Sequence, residues 1–516
     1  MQKRARSIWR TRLIQASIGA PILVLALMFT LAFSALPALA ATVHISTDPF
    51  TQATCHGSNT TNHHTEVEPD TFSNGSTIVA AFQVGRIFDG GACAIGFATS
   101  TNNGSTWTSG LLPGITKWTT SQGVGPNDRA TDAAVAFDAK HGVWLVSSLT
   151  LLEAGGVHGN SVVTSVSSDG GLTWGNPFTT ATGADLDKNW IVCDNTSTSP
   201  FYGNCYTEWD NHGNGNQLQM STSSDGGQHW SAAATNGSGV IGGQPVVRPD
   251  GTVIVPTDNA NESVVGAFHS TNGGASWTAM TTITTIRHHR SQGSLREGPL
   301  PSAEIDGAGT VYVTWADCRF RTNCSQNDIV ITHSTNATGT TWSGVSRIPI
   351  DSTTSGINHV LPGLAVNKAT SGSTAQLGLT YYFFASGSTS LQVGFISSTN
   401  AGTNWSAAQT VSSAAFPTTW TATTSQGRMV GDYISTSFGS DNLAHGVFET
   451  ATAPTSGTSC SSVLDNCNEP TDTFATGLSA LSGTARASDG GVVVPAPEGG
   501  PGDSHRWDLM DTDDEA

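Results

Sequence analysis

The stretch Ser167-Ser168-Asp169-Gly170-Gly171-Leu172-Thr173-Trp174 recurs along this chain and decides how the rest is read. A short polar run, with glycines able to take positive φ and a Trp at its end, suits a tight connection between two antiparallel strands. The Trp then opens the return strand with a large apolar ring. Five further copies run Ser100 to Trp107, Ser223 to Trp230, Ser270 to Trp277, Ser334 to Trp342 (one residue longer) and Ser398 to Trp405, giving the pattern S-x-[DN]-x-G-x-x-W. Successive Trp residues are 67, 56, 47, 65 and 63 positions apart, the length of one four-stranded unit with variable loops.

Between the copies lies a second repeat, an alternating hairpin with a Gly or Asn turn. It runs Ala133 to Ser147, Trp190 to Trp209, Pro245 to Thr257, Pro301 to Trp315 and Leu361 to Phe384, with outlying copies at Glu68 to Gln83 and Val430 to Thr450. The expected fold is therefore all-β, a β-propeller of four-stranded antiparallel blades. Seven blades are favoured because there are seven hairpins, and six is the alternative. Thr471 to Leu478 or the N-terminal Thr42 to Ser46 is expected to complete the last blade and remove an open edge.

Composition agrees. Only 12% of the 516 residues are charged and 58 are Gly, which suits short strands and tight turns. Residues 1–40 read as a secretory signal, with Lys3, Arg4, Arg6, Arg10 and Arg12 ahead of an apolar run to Leu36 and Ala38-Leu39-Ala40 before the cleavage point. Secretion after cleavage near Ala40 is expected, and membrane attachment only if that segment is retained. The propeller is assigned to residues 41–486, and an acidic, Gly/Pro-rich disordered tail to 487–516. Beyond residue 40, 16 basic residues face 39 acidic ones, a formal charge of −23, which excludes nucleic acid as a partner. A monomer without cofactor or metal is expected. Eight cysteines in an exported chain favour disulfides. Nearness in sequence suggests Cys193 with Cys205, Cys318 with Cys324 and Cys460 with Cys467, leaving Cys55 for Cys93, although spacing alone does not fix connectivity.

S-x-D-x-G-x-x-W resembles the Asp box, or BNR repeat, of the sialidase superfamily, over about residues 42 to 450. The resemblance implies a propeller whose boxes lie on outer turns, away from substrate, and it extends to other glycosidases and to binding proteins. Function is then expected at the channel mouth, where the inner hairpins begin. The residues there include Glu66, Glu68, Asp70, Asp128, Arg129, Asp132, Asp187, Lys188, Gln244, Arg296, Glu297, His359, Arg428, Asp432 and Tyr433. Arg287 and Arg290 add to a basic patch with Arg296, an anion site unless these arginines pair with surface acids. A sialidase is expected to clamp a carboxylate with three arginines and to use a Tyr nucleophile assisted by a Glu, with an Asp as acid and base. By position the counterparts are Arg129, Arg296 and Arg428 for the clamp, with Asp432 among the substrate contacts. Tyr433 with Glu297 or Glu68 forms the nucleophile pair, and Asp132 or Asp128 the acid and base. The pattern departs at the first blade, where Gly85-Arg86-Ile87-Phe88 stands in place of Arg-Ile-Pro. The expectation is a secreted glycoside hydrolase acting on an anionic or complex glycan, with a non-catalytic glycan- or protein-binding propeller as the alternative.

Overall fold

The computed structural model describes residues 41–481, 483 and 485–486; the signal and tail assignments lie outside them. The described chain is all-β, with antiparallel sheets joined by tight turns and short 3-10 segments. Strands Glu66–Asn74, Thr77–Arg86, Ala92–Ser100 and Thr108–Leu111 form a first meander. A single pair, Ala92 with Ala130, joins it to a second made of Arg129–Asp138, Val143–Leu152, His158–Ser167 and Phe178–Thr182. The third contains Leu186–Cys193, Cys205–Asn211 and Gln217–Ser223. In the fourth, Val240–Ile241 and Val246–Val247 share the edge of Val253–Asn259, followed by Val264–Ser270 and Thr281–Thr285. The fifth is Ser302–Ile305, Val311–Asp317, Asp328–His333 and Ser346–Arg347; the sixth is Asn358–Val366, Leu377–Phe384, Ser390–Ser398 and Gln409–Thr410.

The seventh meander draws on both ends of the described chain. Ser435–Phe438 and Leu443–Glu449 are followed by Thr471–Phe474, whose far edge takes Thr42–His44 in the register Thr42 to Phe474 and His44 to Asp472. Both segments expected from sequence thus enter the last sheet.

Alternation of apolar residues along each strand puts one set of side chains on each face of a meander. Successive meanders bury these faces against each other. Val79, Ala81 and Phe97 meet Val135 and Trp144; Tyr206, Leu218 and Met220 meet Val253, Val255 and Phe268; Tyr382, Val393 and Phe395 meet Ile434, Phe448 and Phe474. The first strand of each meander lies beside the first strand of the next, and Glu66–Asn74 also lies beside Ser435–Phe438. All eight cysteines are paired, as Cys55–Cys93, Cys193–Cys205, Cys318–Cys324 and Cys460–Cys467.

The copy at Ser167 to Trp174 joins the third and fourth strands of its meander, whereas the third meander, expected to have four strands, has three and, among the described residues, no strand of its sheet follows the copy at Ser223 to Trp230. Ser167 Oγ accepts from the Gly171 N–H at 3.0 Å, and Asp169 Oδ1 accepts from the Thr173 N–H at 2.9 Å. The Trp174 indole donates to the Gly171 carbonyl at 3.2 Å. Gly171 has φ +81°, and a Cβ there would come within 2.7 Å of Val79 in the preceding meander, so glycine is required twice over. The turn therefore packs one meander on another.

Candidate functional site

The first strand of four meanders carries the same irregularity. The register shifts between Val67 and Asp70, Thr131 and Ala134, Asp187 and Trp190, and Val360 and Gly363. Each bulge contains a non-glycine residue at positive φ: Glu68 (56°), Asp132 (50°), Lys188 (50°) and Leu361 (51°). Such a backbone costs roughly 1–3 kcal/mol and persists only where its surroundings hold it. In three of the four the strained residue is charged, and these three side chains converge.

Lys188 Nζ lies 2.5 Å from Asp432 Oδ2, 3.8 Å from Asp132 and 3.9 Å from Glu68. Arg296 grips the same Asp432 with both edges of its fork, Nε to Oδ1 at 2.8 Å and Nη2 to Oδ2 at 2.5 Å. The Asp432 N–H donates to Glu68 at 3.2 Å, and the Gln83 amide donates to the other Glu68 oxygen. Arg86 donates through Nη1 to Gln83 at 3.0 Å and to the Gly91 carbonyl at 3.3 Å, while its Nε and Nη2 have no hydrogen-bond partner. None of Glu68, Arg86, Asp132, Asp187, Lys188, Arg296 and Asp432 is more than 6% exposed.

Burial and charge set the ionisation of this cluster. Burial alone would lift the Asp432 carboxyl, but Arg296 and Lys188 hold it far below the ordinary carboxylate range. Burial lowers an ammonium, yet Asp432, Glu68 and Asp132 together push Lys188 upward. Burial raises Glu68 and Asp187 to about 7 and Asp132 to about 6, less the pull of Lys188. Burial, then Arg296, lowers Arg86 to about 10. Three carboxyls around a fixed ammonium are therefore raised toward neutral pH while Asp432 stays ionised.

Of the residues expected from sequence, Asp132, Arg296, Asp432 and Tyr433 belong to this cluster or border it. Tyr433 and Asp132 line one small void with Lys188, Asn189, Leu300 and Pro301, about 10 Å³ and the size of one water. The Tyr433 ring packs edge-on against Trp190. The expected pairing of Tyr433 with Glu297 is not formed. Tyr433 Oη donates to the Ala133 carbonyl at 3.3 Å, and Glu297 accepts from His288 Nε2 at 2.9 Å and the Ser291 N–H at 3.1 Å.

The three-arginine clamp is not assembled either. Arg129 is engaged by Asp89 at 2.5 Å, Glu153 at 2.7 Å, the Gly90 carbonyl and Ser58, where it ties loops of the first two meanders. Arg428 donates to the Thr421 and Cys460 carbonyls. Arg287 and Arg290 are exposed, and Asp128 pairs with Lys117.

Two members have no role in the sequence reading. Lys188 stands in the flank of an inner hairpin, and Arg86 is the arginine of the imperfect Gly85-Arg86-Ile87-Phe88 stretch; Glu68 is there the alternative partner of Tyr433. The signal for Glu68 and Lys188 is a charged residue near the start of an inner strand in a charge-poor chain, whereas Arg86 ends the second strand of its meander.

Elsewhere among the described residues, Asp328, Asp351 and His359 place ligand-type atoms within 4.8 Å of one another. Arg321 and Arg347 already bond both aspartates at 2.6 to 2.9 Å, so this is an ion network with its cations supplied by the chain.

No protein-family model matches the chain, and no curated protein matches it. Solved structures with a similar fold include a protein of unknown function from Dyadobacter fermentans (16% identity, 67% of this chain and 96% of that one, TM-score 0.42). They also include the intramolecular trans-sialidase of Ruminococcus gnavus (13%, 84% and 97%, TM-score 0.39) and an ulvan lyase (9%, 82% and 95%, TM-score 0.46). With TM-scores below 0.5, these likenesses decide neither fold family nor activity.

Proposed function

We propose that the chain is an exported, sialidase-like β-propeller of seven blades, and that it hydrolyses an anionic glycan at the end of the channel where the innermost strands begin. The observation that carries the reading is the convergence of Arg86, Lys188 and Arg296 with Glu68, Asp132 and Asp432 beside Tyr433, in a chain with few charges. Each of the seven meanders supplies one blade, with Thr42–His44 closing the last. Four disulfides support export, and among the described residues no helix is long and apolar enough to cross a membrane.

In this reading the unbonded Nε and Nη2 of Arg86 receive the substrate anion, with the charge of Arg296 close by. Asp132, raised to about 6, protonates the departing glycosidic oxygen as Tyr433 attacks the anomeric carbon from the same void and passes its own proton to Glu68, raised to about 7; Asp132 then takes a proton from the water that releases the sugar from Tyr433, whose oxygen recovers its proton from Glu68. That void, lined by Leu300 and Pro301 among others, holds about 10 Å³, so admitting a sugar requires its walls to move.

The test is release of fluorophore from a sialoside and from a panel of uronic-acid and neutral glycosides. Asp132→Asn and Tyr433→Phe are expected to lower kcat by about 100-fold or more, and absence of turnover on every substrate overturns the reading. A second reading, a non-catalytic propeller that binds glycan or protein at the same mouth, is favoured by the Tyr433 hydroxyl lying on a carbonyl rather than a carboxylate. Saturable glycan binding without turnover distinguishes it.

A further inference from the structure

We propose that the opposite end of the channel is a second binding site, built for a neutral oligosaccharide. A cavity of about 500 Å³ opens there, within the range of small-molecule sites. It is bounded by the later residues of the same first strands whose earlier residues carry the charged cluster. Trp190 and Gln244 border both this cavity and the water-sized void beside Asp132, so the two spaces lie along one channel.

The wall chemistry selects the ligand. Asp70 is buried, and its Oδ2 accepts from the Val135 N–H at 2.7 Å. Glu304 is half-buried, close enough for its charge to act on Asp70. Lys368 holds its ammonium 4.6 Å above the Phe72 ring. Asp306, a third carboxylate in the wall, is engaged by the amides of Ala308, Thr310 and Gly372. Three carboxyl groups, with Asp70 raised to about 7 and Glu304 raised by burial, against one ammonium leave no net positive charge to hold an anion. A cationic ligand meets Lys368 already on the aromatic face. An uncharged, hydroxyl-rich ligand suits what remains, with carboxyl oxygens to accept from sugar hydroxyls, an ammonium that Phe72 holds in place to donate, and half-buried Trp190 in the wall for the apolar side of a pyranose. The inference does not rest on the proposed hydrolase activity.

The experiment is isothermal titration of the full chain with cellobiose, lactose, maltotriose and N,N′-diacetylchitobiose, alongside 3′-sialyllactose and spermidine. At least one neutral saccharide is expected to bind with Kd of about 1 mM or tighter. Glu304→Leu and Phe72→Ala should each weaken it by about tenfold, with melting temperatures confirming that both variants fold. Should one variant fail to fold, the other decides. No binding of any neutral saccharide up to about 10 mM, binding indifferent to both substitutions, or sialyllactose or spermidine binding that these two substitutions weaken more than neutral-saccharide binding, overturns the proposal. Fluorogenic turnover is read separately, so the failure of either proposal leaves the other standing.

Discussion

Lys188 and Asp432 are 244 residues apart in sequence and share a buried ion pair of 2.5 Å that links the third meander to the segment entering the seventh. Arg296, ahead of the fifth, completes the link through the same carboxylate. Removing one partner of a buried pair leaves the other uncompensated, at a cost of about 3–5 kcal/mol. Lys188→Met is expected to lose about that much in urea denaturation, and Asp432→Asn a similar amount. The double variant should lose clearly less than the sum of the two, because the charges are removed together. Strict additivity would show that the pair is not the link.

Gly431 precedes this aspartate at φ +144°, where a Cβ would lie 2.9 Å from both Cα and N of Glu68 and 2.8 Å from the Tyr433 carbonyl oxygen. These are backbone atoms, and no rotamer change relieves the contact. Gly431→Ala is expected to cost about 2–4 kcal/mol and to lower the melting temperature in step. A melting curve matching wild type would mean that this backbone relaxes freely.

How much of this was legible in the sequence differs between fold and site. The turn at Ser167 to Trp174 announced itself because its hydrogen bonds are local: Ser167, Asp169 and Gly171 lie within five residues and need no tertiary partner to be recognised. The hairpins were legible for the same reason. The site was legible only in part: Asp132, Arg296, Asp432 and Tyr433 stand out by their place before inner hairpins, but Glu68, Asp132 and Lys188 converge through bulges that re-aim single residues, and a bulge leaves no mark in an alternating pattern. Arg129 misled for a related reason. Its place before an inner hairpin matches that of Arg296, but Asp89 and Glu153 claim it, and they come from loops whose paths the repeat does not dictate.

The turn itself should tolerate damage better than the cluster. Asp169 is exposed, and its carboxylate accepts from the Leu172 and Thr173 amides and the Thr173 hydroxyl; bonding to Thr173 first of all lowers it to about 2. Asp169→Ala is expected to cost about 1 kcal/mol in chemical denaturation and to leave any glycosidase turnover unchanged. A loss of turnover at unchanged stability would move function to the outer turns.

The disulfides are expected to rank by the loop each closes. Cys55–Cys93 spans 38 residues and Cys318–Cys324 only 6. Chain entropy then assigns about 4 kcal/mol to the first and about 2 kcal/mol to the second. Paired Cys→Ala variants, unfolded in urea, should follow that order, and an inverted order would show that local packing outweighs loop closure.

The buried carboxyls predict an unusual pH dependence. Burial is the first cause in each case, and it lifts Asp48, Glu68, Asp70 and Asp187 to about 7, Glu66 to about 8 and Asp132 to about 6. In the unfolded chain these groups titrate near pH 4. Between the two ranges the folded protein binds more protons than the unfolded one, so the free energy of unfolding falls as pH rises. The raised histidines His44 and His288 act in the same direction. Buried histidines pushed downward, such as His63 and His359, act in the opposite direction, and mainly below their ordinary value of 6.5. The window from about pH 6.5 to about pH 8 therefore belongs to the carboxyls. Across it the protein should lose on the order of a few kcal/mol, read as a lower melting temperature at the alkaline end. Glu66→Gln, which removes the most strongly raised of the six, should flatten the slope. A melting temperature constant or rising over that window would mean that these carboxylates find cations or water that offset their burial.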